Sequence, residues 1–423
     1  MRVRLRPATS RKRAYEVARN AAARHQTLVP RVAAPQIATV MTSNSGRVFW
    51  AQIALGLGGV IQILGMPIIV GALHDHWGYS DAYAGYITSI DLAGLCVGAI
   101  TTSAWANRVN WRRYTAGAVV LGVVFNTLCL WFHALGPLCV LRFGAGLASG
   151  AIYSSSLALL CYQTDTARGF SILIFAQVVA NAIVLAAFPA IDARWGPAGL
   201  FVSIAVVLAA TLAMVPALGA HRPEMPSVER TELNGGVILP ALCLAAVVFV
   251  YVAIGSYWAY AERMGITFGL APDTVHHLLT ASVLLSSLGC IAAFRISRNM
   301  GQSRPLLAAL AIFSLTLLAH SVSPHAVMYV VTLLVLQVAW NFIDIFQLGT
   351  LAFVDPTGRG AALVPAAQGI ALAIGPAAGA LALTLGQGYS AVLVLSGSAA
   401  TLAALCYGVV HVSCERSAVA APR

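Results

Sequence analysis

Charge is what this chain of 423 residues has least of: Asp, Glu, Lys and Arg together make up 9% of it, and mean hydropathy reaches +0.82. That scarcity excludes a soluble domain of this length and calls for many membrane spans. Cysteine offers no chemistry either. None of the eight forms a C-x-x-C pair and all but Cys414 lie in apolar runs, so they read as small buried residues with neither a disulfide framework nor a metal site. Also missing are an H-E-x-x-H helix, a phosphate-binding loop, a nucleophile elbow and any cluster of His or acids at one membrane face. These absences argue against an enzyme, and no cofactor is expected. His276 and His277 are adjacent and so point to different helix faces, and His74 and His76 flank Asp75 in what reads as a solvated turn.

The charge that is present is unevenly placed. Ten of the 25 Lys and Arg lie at or before Arg47, against one acid, Glu16. Residues 1–46 lack the apolar run of a secretory signal; they read as a disordered basic extension, as a transit peptide, or as upstream of a start at Met41. A basic tail beside a first span points to anionic lipid rather than nucleic acid.

Beyond it, charges and turn residues cut the chain into twelve apolar segments. The first six are about 48–73, 82–106, 114–133, 137–163, 169–191 and 196–219; the second six are about 236–261, 274–294, 303–322, 326–353, 360–385 and 388–411. Most are long enough to cross a hydrocarbon core of ~30 Å. The predicted architecture is all-α and polytopic: an N-terminal six-helix half over 47–219, a connector over 220–235, a C-terminal half over 236–412 and a tail over 413–423. Arg dominates alternate loops, with Arg108, Arg112, Arg113, Arg168, Arg295, Arg298, Arg304 and Arg359 on one side. Asp75, Asp81, Asp192, Glu262 and Asp273 collect on the other, with only Arg194 and Arg263 beside them. By the positive-inside rule both termini are cytoplasmic.

The loop Ser103–Arg113 (S-A-W-A-N-R-V-N-W-R-R) is echoed by Arg295–Arg304, and Asp165-Thr-Ala-Arg168-Gly169 by Asp355-Pro-Thr-Gly-Arg359-Gly360. Two different loops, each repeated at a similar offset, indicate two copies of one six-span unit. Two such halves joined by a polar connector, with Arg108, Arg112 and Arg113 between the second and third spans, resemble the major facilitator superfamily. The resemblance covers about 48–412. It departs from the family signature at Ser103, Asn107, Asn110 and Trp111, and Asn107 stands where the family carries a carboxylate. Arg142-Phe-Gly-Ala-Gly-Leu-Ala-Ser-Gly150 is similar to the fourth-span pattern of an Arg followed by small residues. Gly375-Pro376-Ala-Ala-Gly379 is similar to the antiporter branch's span-five element, displaced here to span eleven.

Three ionisable residues sit deep in spans, where each costs about 2.5–3.5 kcal/mol to insert: Asp91, Arg142 and Asp344. Asp91 and Arg142 lie at depths about 6 Å apart, within reach of an Arg side chain. They form either a switchable pair that takes a proton or a static packing pair. Trp340, Asn341, Asp344 and Gln347 put polar groups along span ten, which in the family borders the central cavity. The resemblance makes that face a substrate or proton site; a polar stripe packed on span eleven is the alternative. Gln62, Tyr153, Tyr251, Trp258 and Glu262 complete the expected cavity, with Tyr251 and Trp258 on one face. Asn126, Gln177 and Asn181 are isolated polar residues within spans three and five. Arg108 and Arg112 with Asp165 and Arg168, and Arg295 and Arg298 with Asp355 and Arg359, are expected to gate the cytoplasmic side or else to serve topology alone. The reading is a monomeric, proton-coupled transporter of a small organic solute in the cell membrane, working by alternating access. The alternatives are a drug or metabolite efflux antiporter of the same fold and, from another class, a non-transporting polytopic signalling protein or a membrane-embedded enzyme.

Overall fold

In a computed structural model the described residues are 45–105, 109–160, 166–218, 238–355, 359–386 and 388–420. Apart from turns they are helical, with one short 3-10 turn at Val215–Ala217. The first span is two helices, α1 (Ser45–Leu64) and α2 (Met66–Trp77), broken at Gly65. Pro67 sits in the first turn of α2, where its missing N–H costs nothing. Spans two, three and four are α3 (Asp81–Trp105), α4 (Trp111–Leu128) and α5 (Leu135–Leu160). Asn110 caps α4, its side-chain oxygen accepting from the Arg113 N–H at 3.2 Å.

Spans five and six are continuous as α6 (Thr166–Leu212), but Gly196 interrupts the helix at φ 58°, ψ −159°. An L side chain all but excludes that backbone geometry, and Pro197 follows it. The apolar stretch Ile172–Ala217 is 46 residues, about 70 Å of helix, enough for two crossings folded at this glycine. The seventh span is α7 (Ile238–Ala259) followed by a short α8 (Ala261–Thr267). The eighth is α9 (Pro272–Leu285) and α10 (Ser287–Met300). Spans nine to twelve are α11 (Ser303–Val322), α12 (Ala326–Val354), α13 (Arg359–Thr384) and α14 (Gly388–Ala420).

Among the described residues 10 helical stretches are long and apolar enough to cross a membrane. Counting the folded stretch twice and adding α4, which is shorter and opens on two arginines, gives about twelve crossings. Large apolar side chains face outward along them: Leu315 is 65% exposed, Val206 60% and Leu405 60%. Such faces belong against lipid tails rather than water.

The duplication is legible in the packing. Gly94 and Gly98 of span two lie on the backbone of Phe143, Leu147 and Ala151 in span four, and Gly146 and Gly150 of span four on that of Asp91 and Leu95 in span two. A Cβ on Gly94 would collide with the Phe143 carbonyl and press on Leu147 N; one on Gly289 of span eight would collide with the Val338 carbonyl and press on Phe342 N. Gly94 and Gly289, Phe143 and Val338, Leu147 and Phe342 are all separated by the same offset. Small residues that let two helices touch are thus reused in register. Between the halves, span two packs on span eleven, and α6, which carries spans five and six, packs on span eight. The fold is two pseudo-symmetric six-helix halves.

Candidate functional site

Arg142 is 1% exposed and its guanidinium is fully engaged within the first half. It forms an ion pair with the Asp91 carboxylate and donates from Nη1 to Asn126 Oδ1 at 2.8 Å and from Nη2 to Gln62 Oε1 at 3.3 Å. It also lies over the Phe201 ring, 4.8 Å from its centre. Gln62 Nε2 returns to Asp91 Oδ1 at 2.9 Å, and the Ser149 hydroxyl donates to Gln62 Oε1 at 3.4 Å. Both carboxylate oxygens of Asp91 are therefore taken. Spans one, two, three, four and six are tied together by one charge pair whose buried hydrogen-bonding capacity is largely met, the condition under which a buried pair is tolerable.

The second half is different at the matching depth. By the offset that relates Gly94 to Gly289, Asp91 corresponds to Ser286 and Arg142 to Gln337, so the charge pair is replaced by neutral residues. Asn341, which stands where the first half has Gly146, donates to the Ser286 carbonyl at 3.2 Å. Asp344 faces Tyr251 of span seven, whose hydroxyl donates to Oδ2 at 2.7 Å. Trp340 Nε1 donates to that same hydroxyl at 3.4 Å, and the two rings meet edge to face with centres 6.1 Å apart. Asp344 Oδ1 is buried and has no partner among the described residues. Asn341, Asp344 and Gln347 do not act as one stripe: they reach spans eight, seven and twelve respectively, Gln347 accepting from the Tyr407 hydroxyl at 3.3 Å.

Tyr153 lies over Gly59 of span one and accepts from Gln177 at 3.3 Å. Trp258 is 2% exposed and packs in the apolar core, so it offers no open ring face. Glu262 lies in α8, outside the membrane-crossing stretches, and contacts the other half. Of the proposed gate, Arg108 and Asp165 fall outside the described residues, as do the side chains of Arg168, Arg298 and Arg359. Arg112 and Arg295 are exposed. Asp355 is buried and its Oδ2 accepts from the Gly360 N–H at 2.6 Å, capping the first turn of α13.

Among the described residues, direct polar links between the halves gather at the end of the bundle that carries the acidic loops. Arg263 Nη1 meets Asp75 at 2.8 Å and its Nε meets Asp81 at 3.3 Å. The Tyr389 hydroxyl donates to Asp81 Oδ2, and the Ser89 hydroxyl, about two turns deeper, donates to the Ala373 carbonyl. The Tyr260 hydroxyl donates to the Pro376 carbonyl at 3.0 Å and sits against Gly85 of span two. Sequence reasoning places Asp75, Asp81 and Arg263 among the loop charges of the acidic side. The signal it could have used is that only two arginines, Arg194 and Arg263, stand among the acids on that membrane face.

The Major Facilitator Superfamily profile matches residues 48–354. The chain belongs to the major facilitator superfamily. It is a membrane transporter of that superfamily, not an enzyme. Solved structures of similar fold include the POT family transporter PepTSo, with TM-score 0.69 and 13% identity over 87% of this chain and 98% of that one. Another is a bacterial homolog of the human lysosomal transporter Spinster in an inward-facing, occupied conformation, with TM-score 0.69 and 14% identity over 87% and 97%. A gallate transporter of Pseudomonas putida is 30% identical over 109 residues, which is 26% of this chain and 24% of that relative. The match thus spans about a quarter of its length.

Proposed function

We propose that this superfamily member is a proton-coupled carrier of a small organic solute, with both termini in the cytoplasm, and that Asp344 carries the coupling proton. The observation behind this is the contrast between two buried carboxylates. Asp91 has both oxygens satisfied by Arg142 and Gln62, and no described cation sits beside Asp344, whose Oδ1 lacks a partner. A carboxylate in that position is neutralised by a proton more readily than one beside a guanidinium. Tyr251 and Trp340 give the solute an aromatic wall next to the titrating group.

The links between halves at the acidic end support a state closed on that side, which the positive-inside rule makes the outer one. Aromatic carboxylates head the solute panel, because the local relative is a gallate transporter and because a protonated Asp344 tolerates an anion beside it. The Gly375-Pro376 element serves packing, Gly375 lying against Gly255 and Ser256 of span seven, and lends no weight to export.

The test is solute flux in proteoliposomes under an imposed pH gradient, with gallate and short peptides as first members of the panel. Asp344→Asn, which keeps the Tyr251 hydrogen bond, is expected to abolish pH-driven accumulation while retaining counterflow of preloaded solute. Accumulation at the wild-type level by Asp344→Asn, or no flux of any solute by the wild type, would contradict the reading.

A further inference from the structure

Glu262 is 6% exposed although it belongs to the connection after span seven. Its Oε1 is 2.6 Å from His276 Nε2 of span eight. Its Oε2 is buried without a hydrogen-bond partner among the described residues, and it lies directly on Gly71 of span one, where a Cβ would collide with it. Gly71 and Glu262 belong to different halves, so the carboxylate is sealed from water by the contact between them. Parting the halves at this end would uncover it.

The neighbours make that seal electrostatically demanding. Asp192 stands at the turn between spans five and six, paired with His76 at 3.4 Å. Tyr329 of span ten presents a buried, unpartnered hydroxyl. Arg263, next in the chain, spends its guanidinium on Asp75 and Asp81, and His74 meets Asp81 at 3.1 Å. Four carboxylates thus gather at this end, and of its two arginines only Arg263 is paired with any of them, Arg194 lying exposed over the Trp195 ring. The imidazoles of His74, His76 and His276 pair with Asp81, Asp192 and Glu262 and are the groups that can gain positive charge there.

We propose that closing the acidic end takes up a proton at Glu262, held between its Oε1 and His276 Nε2, so that proton binding draws the two halves together. Burial pushes the Glu262 carboxyl above the usual carboxylate range, the hydrogen bond from His276 opposing it in part. A group that holds its proton more tightly in the closed form than in the open one favours closure as pH falls toward the ordinary carboxylate range. Below that range both forms are protonated and nothing more is gained. This site is separate from Asp344, but the inference rests on the alternating-access reading.

The experiment is a distance measurement between spin labels at Tyr83→Cys and Thr274→Cys, one on each half at the acidic end. It uses the full chain with its native cysteines replaced, in lipid nanodiscs between pH 5 and 9. The short-distance population should grow as pH falls. Glu262→Gln should hold the short distance at every pH and lose the pH response, Glu262→Asp should keep it, and Gly71→Ala should shift the protein to the long distance throughout. Should Glu262→Gln not be recovered folded, His276→Gln removes the proton's second anchor and carries the same expected loss. A wild-type pH response in both Gln variants overturns the proposal. Two distances whose populations ignore pH overturn it alone, whereas one fixed distance under all conditions overturns alternating access with it.

Discussion

Arg142 is the residue on which the first half depends most. Removing it leaves Asp91 buried and charged, a situation that costs about 3–5 kcal/mol. Arg142→Leu is therefore expected to lower the thermal unfolding temperature in detergent sharply. The double variant Asp91→Asn, Arg142→Gln, which removes both charges and keeps the hydrogen-bonding shapes, should recover most of the loss. A double variant no more stable than Arg142→Leu would mean that the guanidinium's packing on Phe201, not charge balance, is what matters. The Asp91–Arg142 contact was legible in the sequence, since opposite charges at neighbouring depth in a bilayer have few other partners. Gln62 and Asn126 were legible only as isolated polar residues. Which amide completes a guanidinium's hydrogen bonding depends on helix rotation, and periodicity in uniformly apolar spans leaves that rotation undetermined.

Among the elements, spans two and four show how close approach substitutes for a hydrophobic driving force in lipid. Gly146 lies on the Asp91 backbone carbonyl, whereas Gly117 in span three has open space where a Cβ would go. Gly146→Val should force these helices apart, at a cost of about 1–3 kcal/mol or more, and should disturb the Asp91 ion pair along with them. Gly117→Ala should leave stability unchanged or slightly raised. Monodispersity and melting of the purified variants separate the two outcomes, and equal damage from both would remove the close-packing argument. Span boundaries were readable from charge and proline, as at Gly196-Pro197. The breaks at Gly65 and at Tyr260 were not, because both lie inside unbroken apolar runs where only the packing of a neighbour, Phe188 over Gly65 for instance, reveals the need for one.

For the whole molecule, the two halves share a fold but divide the chemistry. The first half carries a closed charge pair; the second carries a carboxylate with an oxygen to spare and neutral residues where its twin has the pair. Orientation is testable at this scale. Cysteines introduced at His133 and Ser323 should react with a membrane-impermeant maleimide in intact cells, and one at Arg295 only after the membrane is opened; the reverse pattern would invert the topology. The duplication was visible from loops alone, yet the seam at the acidic end was not. Its contacts join Asp75 to Arg263 and Asp81 to Tyr389, positions that local sequence patterns do not connect.

The wiring of Arg142 also bears on how the protein is made. Its partners Gln62, Asp91, Asn126 and Phe201 all precede the connector, so the buried charge pair of the first half is complete before the second half is made. That first half can settle in the bilayer before the second half is synthesised, as expected when domains fold in the order of translation. The seam at the acidic end has the opposite timing. It needs Tyr389 of the last span, and so it can only be fastened once synthesis is almost complete.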